Sequence, residues 1–314
     1  MTIQQHTFET EYPVGPVHCY SAELNGELVL FDTGPPTAAA RESLGKALDL
    51  SRLRHVVITH CHIDHYGLAH WLDTETEAVV YLPYRDSLKI ARHDERLVRL
   101  ADLLTAYGFD ASYQAGLRAI MDSGLVFPRF PESFRIIEDE LPPQLGIEVI
   151  DCAGHSQSDL VLAGPDWAVT GDVLLRGIFQ SPLLDVDLES GQRFRNYDAY
   201  CATIGKLAVL RGKRILPGHR QSVDSVDACI LFYVGKLFDR ARQFKPFAAI
   251  ESVAEVIEKL FDNQLQNPFH VFLKASEIIF MRDFLADPER LKDALTQVDL
   301  FAAVAERYRG VLHD

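Results

Sequence analysis

The chain has 314 residues, 47% hydrophobic and 24% charged, with a formal net charge of -14. That balance suits a globular protein with a large core, and its acidic surface argues against a nucleic-acid partner. The polar start does not resemble a signal peptide, no apolar run approaches the ~18 residues of a membrane span, and five cysteines without a CxxC pair point to a reducing cytoplasm rather than a disulfide framework.

ELVLFDTG (27–34) is an apolar run ending in Asp32-Thr33-Gly34 and reads as a strand. TAAARESLGKALDL (37–50) reads as a helix with Thr37 as its N-cap. RHVVITH (54–60) is a second strand, GLAHWL (67–72) a helix and AVVYLP (78–83) another strand. Such alternation predicts α/β layers with their chemistry at strand ends.

Residues 85–124 break the rhythm with two helical stretches interrupted near YGFD (107–110). Arg85, Lys89, Arg92, Arg96 and Arg99 fall on one helical face. With Asp86, Asp94 and Glu95 interleaved, that face reads as solvated; the alternative is a lid whose basic side attracts an acidic substrate. Strands resume at GIEVIDC (146–152), DLVLAG (159–164) and WAVTGD (167–172). A turn-rich loop (181–194), a helix near 197–210 and a short strand, RILP (214–217), follow.

From about residue 222 the pattern is helical, in four segments punctuated by Pro246, Pro268 and Pro288. The division expected is a domain over 1–220, carrying the insertion at about 85–124, and a helical extension over 221–314. Its apolar helices would cover the core or form a homodimer interface.

The chemistry concentrates in ITHCHIDHYG (58–67), which sets His60, His62, Asp64 and His65 within six residues. Residues two apart at a strand end face the same way, so His60 and His62 can converge on one ion while Cys61 turns aside. Asp64 and His65 lie at the bend beyond, placed for a second ion. Two ions need further ligands, and three later strand ends offer them: Gly154-His155, Gly171-Asp172 and Gly218-His219. In each, a glycine permits a sharp turn and close backbone approach just before a ligand-type residue. The remaining histidines, His18 among them, read as ordinary structural residues.

Over roughly residues 17–220 this set resembles the metallo-β-lactamase superfamily, whose mark is His-x-His-x-Asp-His followed by a distant His, Asp and final His. The resemblance implies a four-layer αββα sandwich, here with a helical insertion and a helical C-terminal extension. It implies that His60, His62 and His155 bind a first metal, that Asp64, His65 and His219 bind a second, and that Asp172 bridges them. Asp32 would orient a ligand histidine from outside the ligand set. Nitrogen and oxygen donors without a thiolate suit zinc, and also iron or manganese.

The implied activity is metal-dependent hydrolysis of a small-molecule substrate by hydroxide generated on two metals, with Asp64 aiming the nucleophile. The family's zinc β-lactamases commonly carry Cys at the Asp172 place or lack a bridging carboxylate, which argues against antibiotic hydrolysis. The site is closer to the glyoxalase-II-like branch, so a carboxylic ester or thioester is the expected substrate. A small phosphodiester, with Arg85, Lys89 and Arg92 as contacts, a lactone, or a metal-retaining effector-binding role are the alternatives.

Overall fold

Strands that are apolar on both faces must be covered on both sides. That requirement sets the layers of the computed structural model, which describes residues 2–12, 14–123, 128–261, 265 and 267–313. One sheet holds β1 (Ile3–Phe8), β2 (Val17–Leu24), β3 (Glu27–Phe31), β4 (Leu53–Val57), β5 (Val79–Leu82) and β6 (Arg135–Ile136), in that order. The other holds β7 (Glu148–Asp151), β8 (Leu160–Ala163), β9 (Trp167–Gly171) and β10 (Arg214–Pro217), with β10 on the far side of β9 from β8. β1 to β3 pair antiparallel and β3 to β6 parallel; β7 to β9 pair antiparallel, and β10 runs parallel to β9.

Strand alternation then assigns each side chain to a layer. Val29, Phe31 and Val57 from the first sheet meet Leu160, Leu162, Val169 and Leu216 from the second in one apolar cluster. Their sequence neighbours Leu30 and Val56 face outward, onto Leu44 and Leu72 of the helices Ala38–Ala47 and Ala69–Glu75. Thr37 caps the first of these helices by accepting the Ala40 N–H. Val161, Ala163, Ala168 and Ile215 face outward from the second sheet, into a cluster built by the helix Asn196–Leu207 and the C-terminal helices. The layers are therefore αββα.

Three features depart from the sequence reading. β1, with its two exposed glutamines, is a half-buried edge strand that composition conceals. The last of the four helical segments is two helices, Pro288–Gln297 and Ala305–His313. Asp299, at φ 62°, takes the left-handed turn that a glycine ordinarily supplies, and Leu300 N–H donates back to the Leu295 carbonyl to close the first helix. Gly124, at the end of the expected insertion, and residues 262–263 of the second C-terminal segment lie outside the described residues.

The basic face of the insertion is the third departure: its cations are paired within the fold and do not stand free in solvent. The insertion forms the helices Tyr84–Ala91, His93–Ala106 and Ala111–Asp122. Leu97, Leu100, Leu104, Leu117 and Met121 pack into the cluster shared with the C-terminal helices. The cations dock on the loop after β9. Arg85 pairs with Asp187 at 2.7 Å and Glu189 at 2.9 Å, and Arg96 pairs with Asp185 at 2.7 Å. Arg92 reaches the Leu188 carbonyl, and Arg99 donates to the Gly191 carbonyl at 3.2 Å. Lys89 and Arg96 are largely withdrawn from water, so they need counter-charges; Asp86 and Asp185 supply them.

Asp185→Ala removes a buried counter-charge from Arg96, and urea unfolding should show a loss of about 3–5 kcal/mol. Glu189→Ala breaks a pair that is largely solvated and should change stability by less than about 1 kcal/mol.

Candidate metal centre

The centre is assembled from strand ends on one rim of the sandwich. The chain leaves β4 at Val57, continues without regular secondary structure to His62, whose backbone is extended, and turns into the short helix Ile63–Tyr66, which carries Asp64 and His65. His155 follows β7, Asp172 follows β9 and His219 follows β10. Two glycines permit the crowding. A Cβ on Gly171, at φ +46°, would stand 2.6 Å from Thr59 Oγ1. A Cβ on Gly218 would stand 2.5 Å from His65 Cε1 and 2.9 Å from Asp172 Oδ1. Any side chain there would intrude on the cluster.

Seven side chains come together in two groups: His60, His62, His155 and Asp172 in one, and Asp64, His65 and His219 in the other. In the first, His155 Nε2 lies 3.0 Å from His62 Nδ1. In the second, His219 Nε2 lies 3.2 Å from Asp64 Oδ2. Asp172 stands between them. Its Oδ1 is 3.4 Å from His65 Nε2 and 3.6 Å from His219 Nε2, while its Oδ2 is 3.7 Å from His155 Nε2. One carboxylate thus presents a different oxygen to each group.

Four of the five imidazoles have Nδ1 engaged on a fixed partner. His65 donates to Asp32 Oδ2 at 2.8 Å, His155 to the Ser181 carbonyl at 2.7 Å, and His219 to the Pro16 carbonyl at 2.9 Å. His60 Nδ1 meets Thr59 Oγ1 at 3.0 Å, and that hydroxyl donates onward to Asp32. Carbonyl and carboxylate acceptors require the proton on Nδ1, which leaves Nε2 as a lone pair aimed inward. The Nε2 atoms of His60, His65 and His219 and Oδ1 of Asp172 are buried without a hydrogen-bond partner. Buried polar atoms left unpaired are costly. Inward lone pairs with donors 3.0–3.7 Å apart suit cations bonded at about 2.0–2.2 Å.

The electrostatics agree. Burial, followed by the repulsion of His65 and His62, holds the His60 pKa well below its usual value. Burial and His155 push His62 down to about 3. Both rings are therefore neutral electron-pair donors at pH 7. Burial opposes charge on Asp172, yet His219 and His65 hold its pKa well below the carboxylate range. Burial likewise opposes charge on His65, but Asp172, Asp32 and Asp64 outweigh it and raise its pKa. A field that favours protons at this point favours metal cations in their place.

A sequence model of the metallo-beta-lactamase superfamily matches residues 12–219, from just before β2 to the last of the seven side chains. The chain belongs to this superfamily. It is 26% identical over 310 residues to the probable metallo-hydrolase YqjP of Bacillus subtilis, a match covering 90% of this chain and 91% of that one. The crystal structure of the metallo-beta-lactamase family protein TTHA1429 from Thermus thermophilus shares the fold at a TM-score of 0.69 and 18% identity, over 91% of this chain and 94% of that one. A beta-lactamase domain protein from Burkholderia ambifaria does so at a TM-score of 0.71 and 17% identity, over 91% and 88%. Superfamily membership makes the chain a metal-dependent hydrolase at the level of class.

Other residues fall into place around this superfamily site. His18 points away, bonded to Thr7 and to the Arg220 carbonyl. Cys61 packs in the cluster beneath the first sheet and belongs to neither ligand-like group. Sequence reasoning missed several supports. Asp86, read as part of a solvated face, is buried and accepts the Cys61 N–H at 2.7 Å, which pins the backbone between His60 and His62. Ser181, whose carbonyl holds His155, donates its hydroxyl to Glu277 on the C-terminal helix Pro268–Ala286 at 2.7 Å. No local pattern marks such a link between residues 96 positions apart.

His60→Ala should lose metal from the first group, read by elemental analysis after chelator-free purification, while Cys61→Ala should keep the wild-type content. Asp32→Ala frees the His65 ring and should weaken metal affinity by about 10–100-fold in a chelator competition.

Proposed function

We propose that this protein hydrolyses a carboxylic ester or thioester of a small molecule, in the manner of the glyoxalase-II-like branch, with zinc as the first choice of metal and iron or manganese as alternatives. The observation that carries the reading is the single carboxylate of Asp172 set between two ligand groups, beside a cavity of about 360 Å³ that His62, Asp64, His155 and Asp172 help to line. His60, His62 and His155 would hold one ion, Asp64, His65 and His219 the other, and Asp172 both. Two divalent ions there would activate a water near neutral pH and polarise the carbonyl under attack.

The protein's own groups do the rest. Burial raises the Asp64 pKa, but the neighbouring His65 and His219 rings outweigh it, so Asp64 is ionised and could accept a proton from an attacking water. Asp32, Pro16 and Ser181 keep three imidazoles from rotating as charge develops.

The pairing of the insertion's cations supports an ester or thioester over a phosphodiester. Arg85 and Lys89 are taken up by Asp187, Glu189, Asp86 and Asp185, and Arg92 by Glu95 and the Leu188 carbonyl. Arg85 and Arg92 are thus engaged by the fold, and Lys89, although it lines the cavity, is already matched by two carboxylates, which leaves little free positive charge for a phosphate.

Elemental analysis should return two ions per chain. With the reconstituted protein, a panel of acyl thioesters, carboxylic esters, lactones and phosphodiesters should show turnover of the carboxylic substrates. Turnover of phosphodiesters alone, or a stoichiometry of one ion or none, would overturn the reading.

A further inference from the structure

We propose that the cavity beside the metal centre is a pocket for an aliphatic acyl chain, and that the C-terminal helix Pro268–Ala286 forms the wall that selects chain length. The proposal rests on the ester or thioester reading above and names the substrate class for it.

The cavity is continuous with the centre, and one part of its wall is apolar: Met121 from the insertion, Phe179 and Leu183 from the loop after β9, and Phe269, Phe272 and Leu273 from the C-terminal helix. The last three recur at the i, i+3, i+4 spacing of one helical face. Phe272 is buried in the core cluster, while Phe269 and Leu273 are only half-buried, so part of that face is left open toward the cavity. A concave apolar surface with polar groups at one end orients a ligand whose reacting atom is polar and whose remainder is not.

The charged groups that reach the cavity do not reverse this. Asp86, Lys89, Arg96 and Asp185 lie along one side and close on one another, with Lys89 2.8 Å from Asp86 and Arg96 2.7 Å from Asp185. These two cations are matched by two carboxylates, so, with His93 the remaining basic side chain on this wall, little fixed positive charge is left to draw in an anionic acyl group. That separates a plain hydrocarbon chain from a dicarboxylate or a phosphorylated one.

The selecting wall is also held in register with the chemistry. Ser276 Oγ accepts the Leu184 N–H at 3.0 Å, and Glu277 accepts the Ser181 hydroxyl at 2.7 Å. Glu277 is in turn paired with Arg240 at 2.7 Å. The Ser181 carbonyl holds His155, so the helix that lines the pocket is two hydrogen bonds from a ligand-type imidazole. A chain seated against Phe272 and Leu273 is thereby measured from the reacting carbonyl.

The test uses the metal-loaded full chain and acyl thioesters of one thiol, from acetyl to dodecanoyl. In the wild type, kcat/KM should climb by up to about fourfold per methylene before levelling off where the pocket is full. Leu273→Trp should fill the space beside this wall and lower the ratio of dodecanoyl to acetyl turnover at least tenfold. Phe269→Ala should move the optimum to longer chains and serves if the tryptophan variant fails to fold. Calorimetry with linear carboxylates from acetate to dodecanoate reads the pocket without turnover. Affinity rising with length would support it even if no thioester or ester were cleaved, a result that would sink the hydrolase reading alone. Turnover and affinity both indifferent to length, or a preference for dicarboxylic acyl groups, would overturn the pocket and leave ester or thioester hydrolysis standing.

Discussion

Five imidazoles and two carboxylates are brought within a few ångströms of one another at the rim of the sandwich, most of them sealed from water. The arrangement places buried lone pairs opposite one another, a cost that a bound cation would offset. Much of the surrounding architecture follows from meeting that constraint. Gly171 and Gly218 are needed because no side chain fits beside the cluster, and Asp32 is needed because His65 must keep its Nε2 lone pair inward. The strands are apolar on both faces because their ends must be fixed between two helical layers.

The helical additions support the centre as well as covering it. Asp86 of the insertion holds the backbone between His60 and His62, and Glu277 of the C-terminal helix holds the residue whose carbonyl holds His155. Insertion and extension also share one apolar cluster with the outer face of the second sheet. The C-terminal region is thus coupled to the site in two ways, through apolar packing and through a buried carboxylate. Among the described residues, no helix is long and apolar enough to cross a membrane.

The layers were legible in the sequence because β-strand alternation and strand-Gly-ligand punctuation are local signals. His60 to His65, His155, Asp172 and His219 could be singled out because their residue types occur at strand ends, where open α/β architectures place chemistry. The supports were not legible. Asp86 joins Cys61 across 25 positions and Glu277 joins Ser181 across 96, and neither separation leaves a periodic trace. The basic face of the insertion shows the same ambiguity: helical spacing of Arg85 to Arg99 describes a solvated face and a face docked on Asp185 to Gly191 equally well, and only the folded loop decides. β1 escaped because an edge strand buries one face only, and Gln4 and Gln5 hide the alternation.

The central claim is that one carboxylate, Asp172, joins two metal ions held by different imidazole sets. Anomalous diffraction from crystals grown with zinc tests it most directly. The account predicts two peaks on either side of Asp172, one within bonding distance of His60, His62 and His155, the other of Asp64, His65 and His219. A single peak, or two peaks that leave Asp172 unbonded to either, would contradict it.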